Sequence, residues 1–129
     1  MQNMDEHRLS FCLIKRLPSN IAEVIPDEGI EISLSMAEEL HQYLVAMMGD
    51  SFAILVNKLN SYSVTFDAQL VIGLLEEARA TAVVVYNSSG EMATSQIRAM
   101  SDEQEKRIVI FFDKGQAVDW LEGRMAALS

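Results

Sequence analysis

Three short runs of apolar residues are the strongest pattern in this chain. They span residues 52–56, 82–86 and 108–112, and each is rich in β-branched or aromatic side chains. Strands without polar alternation are covered on both faces, which is typical of a parallel sheet between layers of helix. Between consecutive runs lie about 25 residues, which is enough for a crossover helix and its loops.

Caps and three- or four-residue spacing predict four helices. The first starts at a Ser-x-x-Glu capping box, residues 35–38, and ends at Gly49. The second starts near Thr65 or Asp67 and ends near Arg79, the third follows a second capping box at residues 88–91, and the last opens at residues 113–116. We expect the core-facing residues of these helices to be Ala37, Leu40, Leu44, Met47, Met48, Leu70, Leu74, Ala78, Met92, Gln96, Ile97, Met100, Ala117, Leu121 and Met125. Trp120 is expected beside the core-facing residues of the last helix.

The first third of the chain predicts an antiparallel hairpin at the edge of the sheet. Residues 9–14 and 21–25 are strand-like, and Pro18-Ser19-Asn20 between them is turn chemistry. Residues 30–34 alternate and are expected to be extended. The predicted fold class is α/β, with a mixed sheet of about five strands made of this hairpin and a parallel βαβαβα unit. We expect residues 1–129 to form one domain, in which residues 1–6 are disordered.

Composition narrows the class of protein. The chain has 129 residues, 50% of them hydrophobic, and ten basic against nineteen acidic residues give a formal net charge of −9. This balance argues against nucleic acid and anionic lipid as partners. No apolar run reaches the roughly 18 residues of a membrane span, and the acidic N-terminal residues are unlike a signal peptide. Cys12 is the single cysteine, so we expect a reducing, cytoplasmic location.

Three segments resemble a group of small bacterial proteins with the SpoIIAA-like fold. They are residues 29–38 (GIEISLSMAE), 54–57 (ILVN) and 112–121 (FDKGQAVDWL). The same fold occurs in STAS domains, which include anti-sigma-factor antagonists and sulfate-transporter tails, and more distantly in Sec14-type lipid-binding domains. The resemblance extends from about Leu9 to Leu121 and implies this fold together with a regulatory or protein-interaction role.

The chain departs from that family pattern in one loop. In anti-sigma-factor antagonists, the loop after the central strand carries an aspartate-serine pair whose serine is phosphorylated. The corresponding loop here, residues 57–67, has hydroxyl groups but no Asp-Ser dipeptide before the helix. Sec14-type domains are longer, and the lipid cavity that they build is larger than this chain has room for.

Polar residues follow each of the three apolar runs. In a parallel sheet the following loops meet at one edge, where ligands gather near helix N-termini. A small anion or a phosphorylated hydroxyl is one interpretation, and ordinary caps and turns are the other. The candidate ligand or regulatory rim consists of Asn57, Lys58, Asn60, Ser61, Ser63, Thr65, Asn87, Ser88 and Lys114, and Ser89 and Asp113 belong to the same loops.

The sequence gives weaker evidence for metal binding, nucleophilic catalysis or a cofactor. Glu38 and His41 form one Glu-x-x-His pair, whereas di-iron sites need two such pairs in a helical bundle, so we expect no metal. Cys12 lies in a strand pattern and is expected to be a small core residue. No nucleophile elbow, phosphate-binding loop or dinucleotide fingerprint occurs, and we expect neither catalytic residues nor a cofactor.

These observations lead to one expected function and two alternatives. The first is a non-enzymatic regulatory or protein-interaction module that forms a homodimer or binds a protein partner through an edge strand or helix face. The second is binding or sensing of a small anion or small apolar ligand at the rim. The third is an enzyme of unknown reaction. Tyr62 is left open as either a core residue or an interface residue.

Overall fold

A six-stranded mixed sheet forms the centre of the computed structural model, which describes residues 6–68, 78–86 and 108–127. The strands are Glu6–Arg8 (β1), Cys12–Leu17 (β2), Ile21–Pro26 (β3), Glu31–Ile32 (β4), Phe52–Asn57 (β5), Ser63–Val64 (β6), Ala78–Val84 (β7) and Ile108–Phe111 (β8), and the helices are Leu34–Met48 (α1) and Lys114–Ala127 (α2). The strand order is β1-β2-β3-β5-β7-β8, and β4 pairs with β6 in a separate parallel ribbon.

The three apolar runs lie side by side and point in one direction, as predicted. β5 pairs with β7 and β7 with β8 in parallel, with Leu55 opposite Ala82 and Ala82 opposite Val109. β3 also runs parallel to β5. The residues that follow β5, β7 and β8 therefore leave the sheet at a common end, which we call the carboxyl edge.

Helices cover the two faces of this sheet. On one face, Val24 and Ile54 pack in a cluster with Ala37 and Leu44 of α1. On the other face, Leu55, Ala82 and Val84 pack in a cluster with Ala117 and Leu121 of α2. This two-sided covering explains why the central strands lack polar alternation.

The N-terminal hairpin is present with its predicted turn, but its first strand lies three residues later than the predicted segment 9–14, at Cys12–Leu17. β2 and β3 pair antiparallel from Cys12–Pro26 to Leu17–Ile21. Ser19 and Asn20 adopt positive φ angles of 69° and 58°. Asn20 Nδ2 also donates to the Met48 carbonyl at 3.1 Å and to the Ser51 carbonyl at 2.7 Å, which ties the turn to the end of α1 and the segment before β5.

The sheet begins one strand earlier than the sequence predicted. β1 pairs antiparallel with β2, so it occupies the free side of the hairpin that was expected to be the edge. Glu6, which we expected to be disordered, is the first residue of β1. Arg8 donates two hydrogen bonds to the Asp27 carboxylate, at 2.7 and 2.8 Å.

The first helix starts two residues earlier than its predicted capping box. Ser33 is the N-cap, and its hydroxyl accepts a hydrogen bond from the Met36 amide at 3.3 Å. Ser35 already lies inside α1, so it does not act as the cap with Glu38. The predicted end is correct, because Gly49 caps α1 with a φ of 92°.

The second predicted helix was placed partly wrong. Helical backbone begins at Phe66, and the Thr65 hydroxyl accepts from the Ala68 amide at 3.4 Å, close to the predicted start. However, Ala78 and Arg79 belong to β7. The pairing of β5 with β7 shifts at this point, because Phe52 lies opposite Ala78 and the next residue of β5 lies opposite Ala80.

The last helix has the predicted start. The Asp113 carboxylate accepts from the Gln116 amide at 3.2 Å, and Ala117 and Leu121 are buried as expected. No described helix is long and apolar enough to cross a bilayer. The predictions for Leu70, Leu74, Ser88, Ser89, Met92, Gln96, Ile97 and Met100 lie outside the described residues.

Candidate functional site

The end of β5 divides the carboxyl edge into two sites. Side chains alternate between the faces of a strand, so consecutive residues point in opposite directions. Asn57 points to the face that α2 covers, where it contacts Glu23. Lys58 points to the face that α1 covers, where it lines a cavity. The predicted rim is therefore not one continuous surface.

A buried polar group, the Glu23 cluster, occupies the α2 side of this edge. It consists of Glu23, Asn57, Tyr86 and Lys114. The fully buried Glu23 carboxylate accepts a hydrogen bond from Asn57 Nδ2 at 2.9 Å, and Asn57 Oδ1 accepts from the Tyr86 hydroxyl at 3.0 Å. Two predicted rim residues, Asn57 and Lys114, thus contact the same carboxylate.

Lys114 supplies the positive charge of this cluster. Its Nζ lies 3.0 Å from Glu23 Oε1. This contact is an ion pair, and it engages the carboxylate oxygen that Asn57 does not contact. A lysine in the first turn of a helix opposes the helix dipole, and the buried carboxylate offsets this cost. The cluster therefore joins β3, β5 and α2, and its polar groups are largely paired with one another.

An apolar cavity of about 90 Å³ lies on the other side of the sheet. Apolar side chains of the sheet and of α1 form most of its wall, and four polar side chains join them: Lys58, Tyr62, His41 and Thr81. The apolar lining includes Val24, Ile54, Val83, Ile108, Leu40 and Leu44. An apolar pocket with a few polar groups is the usual form of a small-molecule site.

Lys58 is the notable polar group of this cavity. Its side chain is half-buried, and Nζ lies 4.5 Å from the centre of the Tyr62 ring. No carboxylate in the described parts of the chain lies at ion-pair distance from it. Loss of water around the ammonium lowers the pKa of Lys58, and burial raises the pKa of the Tyr62 hydroxyl.

The remaining predicted rim residues hold the segment after β5 in place. Asn60 Nδ2 donates to the Pro26 carbonyl at 3.0 Å. The Ser61 amide donates to the Glu28 carboxylate at 3.1 Å, and the Ser63 amide donates to the Ile30 carbonyl at 3.0 Å. These contacts position Tyr62 over the cavity. Asn87 and Ser88 lie outside the described residues.

Sequence reasoning missed Glu23, Tyr86 and the cavity. Glu23 had a visible signal, because it is a single charged residue inside the apolar segment 21–25. A charge in such a strand is buried only with a partner, and this points to a site. Tyr62 was left open, and the structure places it at the cavity. Tyr86 ends the apolar run 82–86, and nothing in that run distinguishes it from an ordinary strand residue.

The Glu38–His41 pair and Cys12 lie in different environments. Glu38 is exposed and His41 lines the cavity, and among the described residues no group of three or more possible ligands could hold a metal ion. Cys12 is fully buried, as predicted, and burial raises the pKa of its thiol to about 12.

Comparison with solved structures identifies the fold. An uncharacterised protein of the DUF3478 family from Shewanella loihica PV-4, described as having a SpoIIAA-like fold, superimposes with a TM-score of 0.59. The match covers 85% of this chain and 91% of that chain at 17% sequence identity. This chain has a SpoIIAA-like fold. No protein-family model and no curated protein matches it, so the comparison supports the architecture and not an activity.

Proposed function

We propose that this SpoIIAA-like protein is a non-enzymatic binding module for a small, mostly apolar molecule that ends in an anionic group. The observation that carries this proposal is the half-buried Lys58 ammonium, which faces the apolar cavity without a carboxylate from the described residues. A charge removed from water is costly unless a counterion compensates it. A ligand carboxylate would supply that counterion.

The volume of the cavity limits the size of the enclosed part of the ligand. An apolar protein cavity of about 150 Å³ accommodates benzene, which has six heavy atoms. A cavity of about 90 Å³ therefore encloses roughly four, which corresponds to a short aliphatic chain. It is too small for a lipid acyl chain. Longer chains would have to extend through the mouth of the cavity into water.

A series of straight-chain carboxylates tests the size of the site. Each buried methylene contributes about 0.8 kcal/mol, or roughly a fourfold gain in affinity. We expect affinity to rise by this factor from acetate to about butanoate or pentanoate and then to level off, as measured by calorimetry or amide chemical shifts. An affinity that rises steadily to octanoate would contradict the enclosed-cavity model.

The Lys58→Met variant tests the ionic part of the site. Methionine keeps an apolar chain of similar length and removes the charge. We expect butanoate binding to weaken at least tenfold, whereas binding of butanol, which has no charge, should change little. The matched control is Lys15→Met, because Lys15 lies 3.8 Å from Glu6 in the β1–β2 hairpin and does not line the cavity. Equal binding of butanoate by wild-type protein and Lys58→Met would overturn the proposal.

A second candidate function is association with another copy or another protein through the carboxyl edge. Phe66 and Phe112 are 70% and 64% exposed, and Leu59 and Tyr86 are also exposed near the ends of β5 and β7. Large apolar side chains exposed to solvent are candidates for contact with a partner. Sedimentation of wild-type protein and a Phe112→Ser variant tests this role. A wild-type dimer that the substitution dissociates supports it, and a monomer at high concentration counts against self-association.

A further inference from the structure

Lys58 differs from the other lysines in the described structure. The chain has four lysines, of which Lys106 lies outside the described residues. Lys15 lies 3.8 Å from the Glu6 carboxylate, and Lys114 lies 3.0 Å from that of Glu23. Lys58 has no such partner among the described carboxylates; it is half-buried and lines the apolar cavity, with its amine 4.5 Å from the centre of the Tyr62 ring.

We infer that Lys58 captures small apolar aldehydes as a reversible imine, with the aldehyde chain in the apolar cavity and Nζ bonded to the carbonyl carbon. The inference rests on the proposed function, because it uses the same cavity. It goes further by naming a second class of ligand and a covalent mode of binding at one atom.

The reaction needs only the amine and the aldehyde. The lone pair of neutral Nζ forms a bond to the carbonyl carbon, and the electrons of the broken C=O π bond move to oxygen. A proton then moves from nitrogen to that oxygen to give a carbinolamine. The carbinolamine hydroxyl then takes up a proton and leaves as water while the nitrogen lone pair forms the C=N bond of an iminium ion. Loss of the N–H proton gives the neutral imine and restores the proton that was taken up, so that amine and aldehyde give imine and water with no change of oxidation state.

Two features of the cavity favour this step. Desolvation lowers the pKa of Lys58, which enlarges the fraction of neutral amine that can attack a carbonyl. The Tyr62 ring, 4.5 Å from Nζ, presents its electron-rich face to a cation. A protonated imine keeps a positive charge on nitrogen, so the ring can stabilise the product as well as the free ammonium.

The protonation state of Lys58 would let one cavity accept two classes of ligand. A carboxylate pairs with the ammonium form, whereas an aldehyde reacts with the neutral amine. We therefore expect the two ligands to compete, and we expect higher pH to weaken the acid complex and to speed imine formation. This competition provides a test that needs no amino-acid substitution.

Reductive trapping of the full chain with butanal tests the inference. Sodium cyanoborohydride converts an iminium ion to a stable secondary amine, and proteolysis with mass spectrometry locates the modified lysine. We expect Lys58 to be alkylated at least tenfold faster than Lys15 or Lys114. We also expect excess butanoate to slow modification of Lys58 alone, and unfolding in urea to make the rates equal. The Lys58→Arg variant keeps the charge but should lose the fast modification.

The outcomes separate this inference from the proposed function. If butanoate binds in a Lys58-dependent manner but Lys58 is trapped no faster than Lys15, then imine formation is wrong and the proposed function stands. If Lys58 is trapped selectively but butanoate neither binds nor protects it, then imine formation stands and acid binding is wrong. If neither result is obtained, both are wrong.

Discussion

Replacing Lys114 by methionine tests whether the Glu23 cluster holds α2 against the sheet. Glu23 is fully buried, and Lys114 is the cation that faces its Oε1 at 3.0 Å. Methionine preserves an apolar side chain of similar length, so packing against the sheet is largely retained. The substitution mainly removes the charge that compensates a buried carboxylate.

The structure sets the expected size of the effect between two limits. Removing one partner of a buried ion pair costs about 3–5 kcal/mol, whereas an exposed pair contributes about 0–1 kcal/mol. Glu23 is fully buried but the Lys114 side chain is 44% exposed, so water can replace part of the lost contact. We expect a loss of about 2 kcal/mol, which for a chain of this length lowers Tm by roughly 8 °C.

Urea and thermal unfolding followed by circular dichroism measure this loss, and a double-mutant cycle assigns it. In a Glu23→Gln background there is no buried charge to compensate, so Lys114→Met should cost less than about 0.5 kcal/mol. Lys15→Met is the control, because its ion pair with Glu6 is partly exposed at both ends. The reasoning would be refuted if Lys114→Met cost the same in both backgrounds, or no more than Lys15→Met.

Three further predictions concern single residues. Ser33→Ala should lower the free energy of unfolding by about 1 kcal/mol through loss of the N-cap, while Ser35→Ala should have little effect. Urea titrations measure both losses, and a larger loss for Ser35→Ala than for Ser33→Ala would contradict the assigned cap. Cys12 should resist iodoacetamide at pH 8 in the native protein and react on unfolding. Because folding raises the pKa of the Cys12 thiol from 9.0 to about 12, the free energy of unfolding should decrease as the pH increases between these values, and a Cys12→Ala variant should not show this decrease. Butanoate affinity should fall as the pH rises through the pKa of Lys58, which lies below its ordinary value of 10.5; constant affinity up to pH 10.5 in calorimetric titrations would count against the lowered pKa.

The parallel core was predictable because its signal is a property of the strands themselves. Residues 52–56 are apolar throughout and largely buried in β5, and a strand covered on both faces favours that composition. The Asp113 and Gly49 caps were likewise predictable, because a cap depends on the residue at one position and on nearby backbone groups. These parts of the fold follow from local chemistry.

The errors arise where pairing between distant segments decides the structure. Ala78 and Arg79 extend a helical pattern in sequence, but hydrogen bonding of β7 to β5 makes them strand, with an irregularity beside Phe52. From sequence, Ser35 is the stronger candidate for the N-cap, because Glu38 follows it by three residues whereas Met36 follows Ser33. Ser33 caps because β4 ends one residue before it, at Ile32, and the chain turns there.

The two lysines of the carboxyl edge, Lys58 and Lys114, lie on opposite faces of the sheet, which could not be predicted from the sequence. From sequence, Lys58 and Lys114 are equivalent basic residues that follow parallel strands. In the structure Glu23 neutralises Lys114 on the α2 face, so this lysine has little charge left for a ligand. The Lys58 amide donates to the Val84 carbonyl at 3.0 Å and fixes the chain beyond β5, so that the Lys58 side chain points into the cavity on the other face. A ligand anion at this edge would therefore meet, at Lys58, a charge that no carboxylate of the described residues neutralises. The face of the sheet on which a residue lies thus decides its role more than its position in the loop does.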